Sequence, residues 1–295
     1  MRARTSGVIA MVVGLCAGLG DAQANDDANN PDKYPNWRGQ WYRTLPVQWD
    51  ASKPPGRGQQ APLTPEYQAR YEISLAEQRR GGQDYKPQVK CMPAGMPQMM
   101  IAYEPIEIIV TPQATYMWMV YMHEFRRIYT DGRAFPAKIA PSFGGYSIGK
   151  WLDTKGTGKY DTLEVETRNF KGPRIFEPTG IPMHDDNQTV IKERISLDPA
   201  DPNVINDEIT TIDNALTRPW TVTRTFKRIA KPAWAEYFCH EHNTIVILQK
   251  ETYFIREDGY LMPSRKDQPP PDLRKFTQTG KCATAVVASG VHRAA

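Results

Sequence analysis

The chain has 295 residues, of which 40% are hydrophobic and 24% charged, with a formal net charge of +4. Lys and Arg are scattered among Asp and Glu instead of forming a stripe, which argues for a solvated surface and against a nucleic-acid partner. The length suits one large β domain or one domain with appendages, and no stretch beyond the first two dozen residues is long and apolar enough for a membrane-spanning helix.

The N-terminus reads as an export signal over residues 1–24. Arg2 and Arg4 give a positive start, residues 8–19 a short apolar run, and Ala22-Gln23-Ala24 a small-x-small cleavage site. Cys16 follows Leu15, where a lipoprotein signal needs a small residue, so cleavage before Asn25 and a periplasmic or secreted product are expected. Cys91, Cys239 and Cys282 then remain, and an oxidising compartment favours one disulfide and one leftover thiol, with the pairing open. Cys239-His240-Glu241-His242 has the look of a metal cluster, but a zinc site draws ligands from two separated pairs and no second pair exists, so the expected metal is none.

In chain order, Asn36–Tyr42 (NWRGQWY) opens like the first strand of a lipocalin-like barrel, whose Gly-x-Trp closes the floor. A Pro/Gly/Gln-rich stretch, residues 53–62, precedes a helix expected over residues 64–80, with Thr64 as N-cap, Pro65 at its first position and Gly81-Gly82 as its stop. Strands follow at 106–111 and 115–123, joined by a short Pro-Gln turn, then at 124–130, 146–152, 162–170, 189–197, 204–213 and 220–229. No helices separate them, so the expected fold is mainly β: an up-and-down antiparallel barrel over 25–230 with one peripheral helix. Residues 231–295, with Pro269-Pro270-Pro271, are expected to form a loop-rich extension packing on the barrel.

Three of these strands carry an ionisable residue in the middle of their apolar parity. Glu193 interrupts Ile191, Ile195 and Leu197; Asp207 stands between Ile205 and Ile209; Arg224 stands among Trp220, Val222 and Phe226. Side chains alternate faces along a strand, so these charges should point into the barrel, where they must be paired or line a polar pocket. Arg126 or Arg127 is available to neutralise Glu193 or Asp207, and at least one carboxylate is expected to pair with Arg224.

Other residues suit chemistry. His184, beside Asp185 and Asp186, sits in the loop leading to Glu193, and a histidine oriented by a carboxylate suits proton transfer near neutral pH. Tyr116, Trp118, Arg127, Tyr129 and the strand-end His123 are candidate ligand-lining residues, since Met and aromatic side chains adapt to irregular ligands. Residues 153–164 space Asp153, Gly158, Asp161 and Glu164 like a Ca²⁺ loop, although Lys155 at the third position would repel the ion. No Gly-x-Ser-x-Gly, phosphate loop, dinucleotide fingerprint or His-Glu-x-x-His occurs, so no cofactor is expected.

The segments LTPEYQARYE, CMPAGMP, RRIYTDGR, GYSIGKW, DTLEVETRNF, GIPMHDDNQTVIKERI and ALTRPWTV together resemble a family of uncharacterised exported proteins of proteobacteria, over about Asn36 to Asn243. The resemblance implies a lipocalin-type β-barrel and no particular reaction. Since Cys91 and Cys239 both fall in family segments, it also implies a Cys91–Cys239 bridge, leaving Cys282 free.

The expected function is an exported small-molecule-pocket protein. As a cofactor-independent acid/base enzyme (isomerase, lyase or hydrolase) on a small apolar or aromatic compound, it would use His184 or Asp186 to move the proton, with Glu193, Asp207 and Arg224 holding charge. The alternatives are a non-catalytic periplasmic carrier with the same pocket and a surface interaction module using the Pro-rich tail. Oligomeric state is not legible.

Overall fold

A computed structural model describes residues 30–44, 61–82, 86–101, 104–233, 236–239, 244–256 and 258–274. The export signal, the 53–60 part of the Pro/Gly/Gln-rich stretch, His240, Glu241, His242 and Cys282 lie outside the described residues.

Nine strands close into a barrel in sequence order. They are β1 (Gly39–Arg43), β2 (Ile106–Val110), β3 (Ala114–Met119), β4 (Phe125–Tyr129), β5 (Tyr146–Leu152), β6 (Thr162–Arg168), β7 (Val190–Leu197), β8 (Val204–Ile212) and β9 (Trp220–Arg228). β1 pairs with both β2 and β9, which closes the cylinder. The barrel departs from the expected up-and-down pattern at one seam. β4 and β5 run parallel, paired only through Ile128↔Ser147 and Tyr129↔Ile148. A parallel neighbour requires a long crossover, and the connection between Thr130 and Gly145, opened by the Asp131-Gly132 turn, is long enough to return the chain to the same end.

Period-2 alternation fixes which side chains fill the barrel. Ile191, Ile195, Ile205, Ile209, Val222 and Phe226 point inward, as do Ile108, Met117 and Ile128 from the other half, all essentially buried. Each such burial is worth about 1.5–3 kcal/mol. Gly149 faces the same interior, and a Cβ there would lie 2.7 Å from Ile128 and 3.0 Å from Leu163, so no larger residue fits.

The two ends are closed differently. At the floor, Trp37 and Trp41 are fully buried, Trp37 packs 4.9 Å from Trp151, and the Trp41 indole N–H donates to the Trp37 carbonyl at 2.9 Å. The Arg228 guanidinium covers the Trp41 ring at 4.1 Å and donates to the carbonyls of Asn36 and Arg38. The Gly-x-Trp reading of the opening strand thus matches a Trp-closed floor. At the mouth, two loop segments act as plugs. One carries Met96, Met99, Met100 and Ile101, all buried. It is anchored by the Glu124 carboxylate, which accepts the amides of Ala94 at 2.9 Å and Gly95 at 2.8 Å. The other lies between β6 and β7 and inserts Phe176, which packs 4.3 Å from Trp220 at the start of β9.

Helix α1 (Pro65–Arg79) packs beside this mouth. Thr64 caps it by accepting the Tyr67 amide, Pro65 occupies its first turn, and Tyr67, Tyr71 and Ser74 form its buried face. The C-terminal extension is less loop-rich than expected. It forms a second antiparallel sheet of β10 (Ile245–Leu248), β11 (Glu251–Ile255) and β12 (Leu261–Pro263). It is tied to α1 by Arg265, which pairs with Glu77 at 3.0 Å and with Glu251. The Cys91–Cys239 disulfide, with Cα atoms 5.6 Å apart, fastens the preceding segment to the 3₁₀ turn Pro87–Lys90. Among the described residues no helix is long and apolar enough to cross a membrane.

Candidate functional site

Glu193, Asp207 and Arg224 are all buried on the inward face of their strands, at 3%, 0% and 2% exposure. Their environments differ. Glu193 is saturated: both carboxylate oxygens accept from Arg126, one at 2.8 Å and the other from Nη2. Arg126 also donates to Thr167 at 3.1 Å and Ser147 at 3.4 Å, and these two hydroxyls share a hydrogen bond of 2.8 Å. This forked pair, closed on every side by hydroxyls, is a scaffold element that satisfies the charge it buries.

Asp207 is not saturated. It lies directly across the ladder from Arg224, yet neither carboxylate oxygen accepts a hydrogen bond. Burial pushes its pKa well up, with the Glu193 charge adding to the rise and Arg126 and Arg224 opposing it. The expected pairing of Asp207 or Glu193 with Arg224 is therefore corrected: Glu193 belongs to Arg126, and Asp207 meets Arg224 only through space. A ladder neighbour presents its Cα opposite, but a short Asp side chain leaves a gap that a guanidinium need not fill.

Two further charges complete the barrel interior. Arg43 shares the inward parity of Trp41 on β1 and is buried. Glu177 enters from the mouth plug next to Phe176; burial raises its carboxyl to about 7, opposed by Arg224, the Thr179 amide, Arg43 and Lys86. Burial also pulls the Arg224 guanidinium down to about 10, with Arg43 adding to the fall and Glu177 and Asp207 resisting it. Arg43 was legible from parity, since Trp41 and Arg43 alternate in the sequence. Glu177 lies in an aperiodic loop and carries no such signal.

His184 and Asp186 lie outside the barrel, on the loop between β6 and β7. The His184 Nδ1 accepts the Asp186 amide at 3.1 Å and sits 3.0 Å from the Asp186 carboxylate, while Tyr67 packs on the ring at 5.1 Å. Asp186 is held below its ordinary value despite partial desolvation, by the Gln188 amide, Asn214 and His184. The expected five-residue catalytic set is thus split in two by the barrel wall and its plug.

The aromatic set faces away from the barrel interior. Tyr116, Trp118, Arg127 and Tyr129 occupy the outer parity of β3 and β4, because Thr115, Met117 and Met119 take the inner one. Arg127 lies over the Tyr116 ring at 5.2 Å and donates to the Tyr129 hydroxyl at 3.4 Å, and Trp118 is 42% exposed. His123 accepts the Tyr237 amide at 3.1 Å and stacks on Phe238 at 4.9 Å, as a strand-end histidine holding the C-terminal segment. The spacing of the calcium loop does not yield a calcium site either. Asp153 accepts the amides of Thr157 and Gly158, Asp161 accepts from Thr154, and Glu164 pairs with Arg194 across the ladder. Among the described residues no group of His, Cys, Asp and Glu is placed to hold a metal ion.

The open concavity lies instead above the plugged mouth. A cleft of about 960 Å³ runs between α1, the 3₁₀ turn, the β6–β7 loop and the β10–β11 turn. Its apolar lining includes Ile73, Val89, Met92, Ile175, Met183 and Ile247, and His184 stands on its wall. At its base lies Arg174, only 4% exposed, which donates to the Met96 carbonyl at 3.0 Å and the Thr189 hydroxyl at 2.6 Å. Thr189 passes the interaction on to Asp213 at 2.5 Å, and the Arg174 Nε–H has no partner. Burial lowers this guanidinium to about 10, against the pull of Asp213 and Asp186. None of the basic residues or the apolar patch here was singled out from sequence, because the four walls come from segments with no common period.

No protein-family model matches the chain, and no curated protein matches it either. The barrel agrees with the lipocalin-like resemblance as architecture; membership in an exported proteobacterial family has no match behind it.

Proposed function

We propose that this chain is an exported, non-catalytic binding protein for a small apolar or aromatic molecule, held in the cleft above the plugged barrel mouth. The observation that carries the reading is the cleft itself: its volume is that of small-molecule sites, and its lining sets an apolar patch of Ile, Val and Met side chains among charged and polar groups that converge on it. The barrel interior favours the same reading from the other side. Its charges are sealed beneath the plugs, so they serve the scaffold and leave ligand contact to the cleft. Export is supported by the signal-like N-terminus and by the Cys91–Cys239 bridge, which persists in an oxidising compartment.

A second reading, the acid/base enzyme, rests on His184. It stands on the cleft wall, and Asp186 fixes its orientation, the arrangement of an oriented acid/base group. That enzyme would work with His184 and Asp186 alone, without Glu193, Asp207 and Arg224.

The test is a fluorescence titration with the neutral aromatic probe N-phenyl-1-naphthylamine. Ile73→Trp replaces a residue that is 54% exposed on α1 and narrows the cleft without touching the core. Saturable binding that weakens at least about tenfold in Ile73→Trp supports the reading. Binding unchanged by that substitution places the probe elsewhere and overturns it.

A further inference from the structure

Resting on the cleft reading, we propose that the cleft selects a small amphipathic acid: an apolar body carrying one anionic group, carboxylate, sulfonate or phosphate. Among the described residues, the cationic side chains on its walls are Arg70, Lys86, Lys90, Arg174 and Lys250, and the one carboxylate is Asp185. That carboxylate is already engaged, by Arg70 at 2.7 Å. Lys90 and Lys250 are exposed and make no ion pair with any described residue. Arg174 is buried at the base without a direct carboxylate, held by a carbonyl, a hydroxyl and the Phe170 ring at 4.3 Å, with one N–H unanswered. A buried guanidinium that lacks its own anion is an energetic liability, and a ligand anion entering the cleft relieves it.

The backbone points the same way. β10 and β11 are joined by the two residues Gln249 and Lys250, with φ of 51° and 72°. A two-residue hairpin turn with positive φ at both positions is ordinarily made by Asn-Gly, Asp-Gly or Gly-Gly, because other residues are strained there. Here the strain is accepted at a position that puts a lysine on the cleft wall. Non-Asn, non-Gly residues held in this region are found at ligand clamps.

The experiment compares two probes with the same aryl skeleton, 8-anilinonaphthalene-1-sulfonate and neutral N-phenyl-1-naphthylamine, on the full chain and on a Lys90→Gln/Lys250→Gln variant. Both lysines are exposed, so the variant keeps its fold. The sulfonate is expected to bind at least about tenfold more tightly than the neutral probe at low salt, with the preference falling as salt rises. In the variant the preference should drop below about threefold, with the neutral probe's affinity unchanged. Equal affinity for the two probes, or a preference that survives in the variant, overturns the acid selectivity while leaving the cleft reading in place. Failure of both probes to bind, or binding of both that Ile73→Trp does not weaken, overturns the cleft reading and the selectivity with it.

Discussion

Asp207 and Arg224 face each other in register across β8 and β9, and the carboxylate accepts no hydrogen bond. On the adjacent strand β7, in the same interior, Glu193 is fully occupied by Arg126. One barrel therefore holds a saturated ion pair and a buried carboxylate that accepts no hydrogen bond, and the two should respond oppositely to mutation.

Arg126→Ala leaves Glu193 buried and alone. Removing one partner of a buried pair costs about 3–5 kcal/mol, which a urea or guanidinium midpoint will register. A loss under about 1 kcal/mol would mean that solvent reaches Glu193 and that the pair behaves as a surface bridge.

Asp207→Asn removes a charge that the interior disfavours while keeping its shape. Stability at pH 7.5 should be unchanged or rise by about 1 kcal/mol. A loss above about 2 kcal/mol would show that attraction to Arg224 outweighs desolvation.

Glu177 gives a pH dependence with a definite sign. Its carboxyl is raised to about 7 by burial in the mouth plug, while in the unfolded chain it titrates near the ordinary value of about 4.3. The folded state therefore holds the proton more tightly. The associated stability is fully present below pH ~4.3 and is lost as pH rises through about 7, a change of about 4 kcal/mol for this group. Glu124, raised to about 7 against the pull of two amides, acts in the same direction at the other plug. Thermal melting of Glu177→Gln between pH 5 and 8 should fall less steeply than that of the parent; parallel curves would place the Glu177 carboxyl in solvent.

The disulfide closes a separation of 148 residues. Cys91→Ser/Cys239→Ser should lose about 2–5 kcal/mol, and peptide mapping should recover Cys91 linked to Cys239 with Cys282 as a thiol. Mapping that finds Cys282 in the bridge contradicts the fold around the 3₁₀ turn.

Much of the barrel was legible because period-2 parity is a local signal. The β5 span at 146–152 agrees residue for residue with the sequence reading, and β2, β4 and β6 to β9 differ by one or two residues at their ends. The strand expected to run to His123 stops at Met119, with a 3₁₀ turn over Tyr121–His123. The helix was legible for a similar reason: Thr64-Pro65 and Gly81 are chemical punctuation. The inward aim of Glu193, Asp207 and Arg224 followed from parity as well. Parity cannot say which charge meets which, and so the Arg126–Glu193 pair, made across 67 residues, was only one of several options. The aromatic strand misled because β3 is apolar on both faces, with Trp118 exposed and Met117 buried. The cleft was invisible, since its walls are a helix face, a 3₁₀ turn, a loop and a hairpin turn that only the tertiary fold brings together.

Methionine methyl groups offer the most direct test of where a ligand sits. Met92 and Met183 line the cleft, and Met117 lies buried inside the barrel. With methyl-¹³C methionine in the full chain, titration with 8-anilinonaphthalene-1-sulfonate should shift the Met92 and Met183 signals saturably and leave Met117 in place. Shifts confined to Met117 and Met119, with Met92 and Met183 unmoved, would put the ligand inside the barrel and contradict the cleft as the binding site.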